Sequence, residues 1–251
     1  MDLGTLTILA GAGFVAGAIN AVAGGGSLIS FPALLAAGYP AITANVTNTV
    51  AVWPGTVGGS LAYYPELRGQ RRRIIVLGIV SVVGAIVGAA LLLASPAQLF
   101  ERIVPFLILG SCVLLAVQDR LGMWLRSRRA KHTGGSLSVP LLVAHFVASV
   151  YGAYFVAGLG ILVLAFLGIF LRDDLQRLNA LKGLLSVFIN GVSAAYFALF
   201  GPLVWPVAAV MAVASWIGGY LGVSLARRLS PTVLRLVVLA FGVIVALRML
   251  L

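Results

Sequence analysis

Residues 18–32 read AINAVAGGGSLISFP, and they interrupt a long apolar segment with three consecutive glycines at 24–26. The surrounding run, residues 5–37, contains no charged side chain. A helix in lipid keeps its backbone polar groups bonded within itself, because hydrocarbon offers no water to replace those bonds, and a glycine triplet weakens a helix. We therefore interpret this stretch as a break between two helices at membrane depth.

The chain as a whole has the composition of a membrane protein. Of its 251 residues, 61% are hydrophobic and 9% are charged, whereas a soluble domain carries about a quarter charged residues. Uncharged runs that reach the roughly 20 apolar residues needed to cross a bilayer recur along the chain. The sequence predicts an all-α polytopic membrane protein. No removable signal peptide is expected, because the N-terminus lacks a basic region and a cleavage site.

The basic residues predict which connections face the cytoplasm. The net charge of +11 is concentrated in short connections, chiefly residues 64–73 and 119–136. The positive-inside rule places both in the cytoplasm, and it explains the net charge without any nucleic-acid partner. The predicted full spans are residues 44–64, 74–94, 103–118, 178–200, 203–226 and 231–251.

Two apolar segments, residues 5–37 and 139–171, do not fit this scheme as single helices. Each has 33 residues, which as one straight helix would measure about 50 Å, well beyond a core of ~30 Å. We predict that each is a broken or re-entrant hairpin with no net crossing. Each half then holds one hairpin and three spans. Residues 1–118 and 139–251 therefore form two inverted-topology repeats joined by a basic cytoplasmic linker, 119–138, and both termini are periplasmic.

Short motifs recur in the same order in the two halves. The pairs are FVAG at 14–17 and 155–158, GxSxAY at 58–63 and 191–196, and GxxxG at 84–88 and 218–222. The shared order favours duplication, and the GxxxG spacing lets helix backbones approach closely. Inverted repeats with interrupted helices are typical of secondary transporters. The sequence contains no P-loop motif that would couple such a transporter directly to a nucleotide.

Several of these segments resemble a known family. They are GFVAGAINAVAGGGSLISFPALLAAGYPAITANVTNTV (13–50), YGAYFVAGLGILVLAFLGIF (151–170), LNALKGLLSVFINGVSAAYFA (178–198) and SWIGGYLGVSLARRLSP (215–231). Together they resemble the signatures of the TauE/SafE sulfite exporter family over nearly the whole chain. The resemblance implies a multi-pass transporter of the bacterial inner membrane. Its cargo would be a small anion such as sulfite, a sulfonate or a related organic anion, since substrates vary within the family.

The charge pattern inside the predicted spans favours an anion over a cation. The acidic residues all lie at segment ends or in loops, namely Asp2, Glu66, Glu101, Asp119, Asp173 and Asp174. A carrier of cations or protons usually has a carboxylate at its midplane. Lys182 lies near the start of the predicted helix 178–200, where it either faces the anion or snorkels to the membrane surface. Asn179, on the same helical face, either binds the substrate or caps the helix start.

Two clusters in the first half are further candidates for anion binding. Gly24, Gly25 and Gly26, with Ser27, offer backbone N–H groups before a helix; the alternative is a tight turn at the tip of the hairpin. The second cluster lies at the predicted start of helix 44–64, where a helix N-terminus favours anions, and simple capping is the alternative. Its members are Asn45, Thr47, Asn48 and Thr49.

The second half offers fewer backbone donors, because residues 158–160 read GLG and lack the triplet. Tyr151 and Tyr154 lie near this break and either donate their hydroxyls to the substrate or pack in the bundle. Asn190 either binds the substrate or joins two helices by a hydrogen bond. His145 is a candidate for proton coupling, with a satisfied core histidine as the alternative.

The function that these patterns favour is alternating-access transport of a small anion by a secondary transporter. The alternative is a channel-like facilitator for a small anion or a neutral solute. No catalytic set of side chains and no cofactor motif is present, so an enzyme is not expected. The expected partners are the anionic substrate and the lipid bilayer, with a homodimer left open.

Overall fold

The computed structural model describes residues 3–22, 25–61, 63–127, 137–171, 173–226 and 231–250. All regular secondary structure within these ranges is helical, as the sequence predicts. The α-helices are α1 Leu3–Val22, α2 Ser27–Ala36, α3 Ala41–Leu61, α4 Arg71–Ala94, α5 Ala97–Ser127, α6 Val139–Tyr154, α7 Leu159–Phe170, α8 Leu175–Phe200, α9 Trp205–Ala226 and α10 Pro231–Leu250. A short 3₁₀ helix, Tyr64–Leu67, connects α3 to α4.

Within the described residues, 4 helices are long and apolar enough to cross a membrane by length and composition. They are Leu3–Asn20, Arg71–Ala94, Ala97–Gln118 and Leu175–Phe200. The predicted span 44–64 falls outside this group because its helix, α3, carries asparagines and threonines that lower its hydropathy. The apolar parts of α9 and α10 that meet this test are shorter, Trp205–Leu221 and Leu236–Leu250. The chain is a polytopic helical protein.

The first break separates α1 from α2 at the glycine triplet. Gly26 donates its backbone N–H to Asn20 Oδ1 at 2.8 Å, so that the side chain of α1 ties down the start of α2. A Cβ atom on Gly26 would lie 2.0 Å from the carbonyl oxygen of Ala16. Close approach of the two helices therefore requires glycine at this position.

The second break separates α6 from α7. Phe155 ends α6 in an extended conformation, and Gly158 starts α7 with a left-handed φ of 79° that favours glycine. The hydroxyl of Tyr151 donates to the carbonyl oxygen of Ala157 at 2.8 Å and satisfies this exposed backbone group within the break. The rings of Phe31 and Phe155 meet edge to face at 5.4 Å, which brings α2 and the α6–α7 break together.

The helices pack in two corresponding groups. Helix α1 lies against α9 and α3, α6 lies against α4 and α8, and α3 packs on α8 between them. Glycines let α1 approach α9 closely and let α4 approach α6 closely. A Cβ on Gly17 would lie 2.0 Å from the carbonyl oxygen of Ser215, and a Cβ on Gly88 would lie 2.2 Å from the carbonyl oxygen of Val150. These contacts agree with the interpretation of GxxxG at 84–88 as a packing motif.

Two connections meet at one end of the bundle, which we call the basic end. Gln70 donates its side-chain amide to the carbonyl oxygen of Arg177 at 3.1 Å, and Arg177 donates to the carbonyl oxygen of Arg68 at 3.1 Å. Asp173 forms ion pairs with Arg73 and, at 3.0 Å, with Arg177. The α3–α4 and α7–α8 connections therefore lie on the same side, as the charge pattern predicts.

Several helix boundaries differ from the predicted spans; α5, for example, begins at Ala97 instead of residue 103. Helix α3 begins at Ala41 instead of residue 44, after Pro40. Helix α8 begins at Leu175, because the side chain of Asp174 caps it by accepting from the backbone N–H of Gln176 at 2.9 Å. Helix α5 continues to Ser127, so the first part of the predicted linker 119–138 is helical.

Candidate functional site

A small cavity of about 70 Å³ lies between the two helix breaks, α3 and α8. Its lining comes from five parts of the chain: the end of α1, the start of α2, the last turns of α3 with its following loop, the α6–α7 break with the start of α7, and the first two thirds of α8. The lining residues are Asn20, Ser27, Thr56, Gly59, Ser60, Tyr63, Val156, Leu159, Gly160, Asn179, Lys182, Gly183, Ser186 and Asn190.

Lys182 places a positive charge on the wall of this cavity. Its ammonium donates to Asn179 Oδ1 at 3.3 Å, one turn nearer the basic end. No carboxylate in the described part of the chain forms an ion pair with it; Asp173 is instead paired with Arg73 and Arg177. Because Asp174 caps α8, Asn179 is free of the capping role that the sequence left open. An ammonium without a protein counter-charge favours an anion.

Two further groups of α8 face the cavity without partners. Asn190 Oδ1 and Ser186 Oγ are buried and have no hydrogen-bond partner among the described residues. A buried polar atom without a partner costs free energy unless water or a ligand satisfies it. The Ser186 hydroxyl can donate directly, and rotation of the Asn190 amide presents its NH₂ group instead of its oxygen. Along α8 these groups and Asn179 span about 16 Å.

The cavity wall also contains polar residues that the sequence analysis did not single out as ligands. Thr56 and Ser60 come from the last turns of α3, and Tyr63 comes from the loop that follows it. Ser60 and Tyr63 belong to the repeated GxSxAY motif, whose polar positions were the available signal. The prediction concentrated instead on the opposite end of α3.

The volume and lining together define what the cavity accepts. One water molecule needs about 10–15 Å³ of cavity volume, so this cavity holds on the order of five water-sized groups. One ammonium and several hydroxyl and amide donors surround this space, without a described carboxylate in the lining. Such a lining favours a compact oxyanion of a few heavy atoms.

The glycine-rich break contributes to the cavity mainly through its neighbours. Gly24 lies outside the described residues. Gly25 is buried, with an added Cβ lying 3.4 Å from Leu115, and does not line the cavity. The N–H of Gly26 is already bound to Asn20 Oδ1. Ser27, the first residue of α2, is a lining residue.

The predicted cluster at 45–49 lies away from the cavity, where it forms a buried layer near the start of α3. We call Ser30, Asn45, Thr47 and Asn48 the polar layer. Ser30 donates to Asn48 Oδ1 at 2.5 Å, Asn45 donates to the carbonyl oxygen of Tyr154 at 2.9 Å, and Thr47 Oγ1 accepts from the N–H of Val204 at 3.3 Å. Thr49 donates to the carbonyl oxygen of Asn45 at 2.9 Å. Because α3 begins at Ala41, these residues lie inside the helix and expose no free backbone N–H groups of a helix start.

The remaining candidates are also placed outside the cavity lining. The hydroxyl of Tyr151 braces the α6–α7 break, and that of Tyr154 lies 3.1 Å from Ser95 Oγ. His145 is fully buried between α6 and α4, with its Nε2 2.8 Å from Ser81 Oγ. The structure thus brings Ser27, Asn179, Lys182 and Asn190 together out of the predicted set.

Comparisons with known proteins place the chain in a class and a family. The family described as Sulfite exporter TauE/SafE matches residues 9–249. A probable membrane transporter protein of Haemophilus influenzae is 31% identical over 237 residues, which cover 94% of this chain and 91% of that protein. A second, ORF9 of Sinorhizobium sp, is 25% identical over 98% of this chain and 92% of its own length. The probable membrane transporter protein YfcA of Escherichia coli K12 is 27% identical over 88% of this chain and 79% of its own length. No solved structure matches.

The helical fold and these relatives define the molecule as a multi-pass membrane transporter and not an enzyme. Because the match extends over nearly the whole chain, the protein belongs to the sulfite exporter TauE/SafE family, which confirms the resemblance read from the sequence.

Proposed function

We propose that this protein is a secondary transporter that carries a small anion, with sulfite or a sulfonate as the favoured class, through the Lys182 cavity. The observation that carries this proposal is the ammonium of Lys182, which lines a cavity of about 70 Å³ without a described carboxylate partner. Asn179, Ser186 and Asn190 add hydrogen-bonding groups along the same helix. Sulfite, a sulfur atom with three oxygens, matches both the size and the charge of this space.

Alternating access between two inverted repeats is the mechanism that we propose. The helix contacts support it, because exchanging α1–α5 with α6–α10 turns the contacts of α1 with α9 and α3 into those of α6 with α4 and α8. The GxSxAY motif of the first half recurs 133 residues later in the second half. With the same offset, Thr49 of the first half occupies the position that corresponds to Lys182 of the second half. The polar layer is then the counterpart of the cavity in the first repeat.

In this mechanism, the cavity and the polar layer open in turn. Thr56 in the cavity wall and Thr47 in the polar layer are about 14 Å apart along α3. Asn45 Oδ1 and Asn48 Nδ2 lack partners among the described residues. Buried amide groups without partners favour a second arrangement in which they bind water or substrate. We propose that this arrangement is the state open on the other side.

The basic end is proposed to face the cytoplasm of a bacterial inner membrane, with both termini periplasmic. The Arg68 and Arg177 connections meet there, which supports the positive-inside assignment. Helix α1 runs parallel to α9, since Gly13 lies by Met211 and Gly17 by Ser215. Helix α9 starts near Thr47, remote from the basic end, and this supports an N-terminus on the periplasmic side.

A ligand screen by thermal shift tests the substrate class. At 100 times its dissociation constant, a ligand that binds only the folded protein stabilises it by about 2.7 kcal/mol. We expect sulfite or a sulfonate to raise the melting temperature of the purified protein, with sulfate, thiosulfate and small carboxylates tested beside them. Stabilisation by a cation or a neutral solute, and by none of these anions, would contradict the proposal.

Accessibility of two matched cysteines tests alternating access. In a Cys112→Ala background, Thr56→Cys lies in the cavity and Thr47→Cys in the polar layer of the same helix. We expect a membrane-impermeant maleimide to label Thr56→Cys from the cytoplasmic side while Thr47→Cys stays protected. A substrate gradient that favours the state open on the other side should make Thr47→Cys react faster with the maleimide than Thr56→Cys.

The same labelling experiment separates a carrier from a channel. In a carrier, the two cysteines are never open together, and radiolabelled substrate shows saturable counterflow in proteoliposomes. Simultaneous labelling of both positions, with flux that does not saturate, would instead assign the protein to channel-like facilitators.

A further inference from the structure

A second, larger cavity of about 580 Å³ lies on the outside of the bundle at the basic end. It is bounded by the end of α3, the 3₁₀ helix, the start of α4 and one residue of α8. The lining residues on which the site depends are Ser60, Leu61, Tyr64, Arg68, Arg71 and Ile75. We call this space the interfacial pocket.

The interfacial pocket combines an apolar wall with two free positive charges. Leu61 is 65% exposed and Ile75 is 50% exposed, so the aliphatic wall faces the space that lipid chains fill around a membrane protein. Arg68 and Arg71 are exposed, and neither guanidinium has a carboxylate partner among the described residues. Tyr64, 68% exposed, adds an aromatic side chain of the kind that lies at headgroup level.

This combination distinguishes the pocket from the substrate cavity. A passage for a hydrated small anion needs polar walls, whereas seven of the positions here are aliphatic side chains, an aromatic ring or glycine. Basic pockets beside transmembrane helices on the cytoplasmic side are typical sites for anionic lipid headgroups. We propose that the interfacial pocket binds an anionic phospholipid, with its phosphate at Arg68 and Arg71 and an acyl chain along Leu61 and Ile75.

The site adjoins the transport machinery through one residue. Ser60 lines both the interfacial pocket and the Lys182 cavity, so a bound lipid lies against the outer wall of the substrate site. The lipid is a ligand in its own right, and its binding is measurable without any transport assay.

Binding of phosphatidylglycerol and phosphatidylcholine to the protein in neutral detergent, followed by native mass spectrometry, tests the proposal. A basic residue near an anionic membrane surface contributes about 1 kcal/mol, which is roughly a fivefold change in affinity. We expect Arg68→Gln with Arg71→Gln to weaken phosphatidylglycerol binding by roughly twenty- to thirtyfold. Arg72→Gln also removes one positive charge from the first turn of α4, but Arg72 lies outside the pocket. This variant should therefore leave phosphatidylglycerol binding unchanged.

A second pair of variants tests the acyl-chain wall and does not depend on the arginines. Ile75→Trp fills the pocket, whereas Ile79→Trp changes another exposed position, one turn along α4 and outside the pocket. We expect only Ile75→Trp to reduce phosphatidylglycerol binding. Glycerol 3-phosphate separates a lipid site from a free-anion site: binding as tight as that of phosphatidylglycerol would overturn the proposal, and so would an equal loss in Arg72→Gln.

Discussion

Replacing Lys182 with glutamine should weaken binding of the proposed anionic substrate by roughly thirtyfold to several thousandfold. Truncating one partner of a buried, hydrogen-bonded charge pair typically costs about 2–5 kcal/mol. In the proposed function, the anionic substrate is the partner of the Lys182 ammonium, which forms no ion pair with a carboxylate of the described residues. Isothermal titration with the best ligand from the screen measures the loss, and counterflow in proteoliposomes should fall with it.

Three controls separate a substrate contact from a structural role. Lys182→Gln should keep the elution profile and melting temperature of the ligand-free protein, because Lys182 makes no described ion pair. Arg72→Gln removes a charge at the basic end and should leave anion affinity unchanged. Lys182→Arg keeps the charge and should bind better than Lys182→Gln. Unchanged affinity in Lys182→Gln would assign this lysine to snorkelling towards the membrane surface.

Replacing Gly17 with alanine should cause the largest loss of stability of any single methyl addition to α1. The new Cβ would lie 2.0 Å from the carbonyl oxygen of Ser215, and neither backbone can yield without separating α1 from α9. Overpacking a close interface typically costs about 1–3 kcal/mol and occasionally more. We expect a loss at or above the upper end of that range, measured as the melting temperature in detergent.

Gly11 provides the matched control on the same helix. An added Cβ there meets nothing within 4 Å, and alanine is favoured over glycine in a helix by about 1 kcal/mol. Gly11→Ala should therefore be neutral or stabilising. The reciprocal variant Gly218→Ala, whose Cβ would lie 2.0 Å from the carbonyl oxygen of Phe14, should be as damaging as Gly17→Ala. Equal melting temperatures for Gly11→Ala and Gly17→Ala would refute the close contact.

The helix breaks within residues 5–37 and 139–171 were predictable because their causes are local. Glycines at 24–26 and at 158 weaken a helix wherever they occur, and a 33-residue apolar segment is too long for one crossing and too short for two. The structure ends α1 at Val22 and α6 at Tyr154, within these segments. The predicted starts of α3 and α8 were less accurate. Both helices begin earlier than their hydrophobic runs suggest, α3 directly after Pro40 and α8 directly after Asp174.

The site was predictable only in part. Lys182 stood out because a lysine inside a span is costly, and Asn179 followed from helical spacing. The predicted ligands on α3, residues 45–49, lie near its start, whereas Thr56 and Ser60 near its end line this cavity, because a helix offers polar groups at both ends. Asn45 and Thr47 have the chemistry of ligands, yet in this conformation they bind Tyr154 and Val204.

The sequence by itself predicted the membrane class, the helix breaks within residues 5–37 and 139–171, and the meeting of two basic connections at one end of the bundle, and it singled out Lys182 as a candidate ligand. These properties depend on composition, length and spacing along the chain. Only the tertiary structure decided that Lys182 faces Ser60 and Asn20 across a cavity while the polar layer is hydrogen-bonded. That outcome depends on the register between packed helices, which many small contacts across the bundle set together.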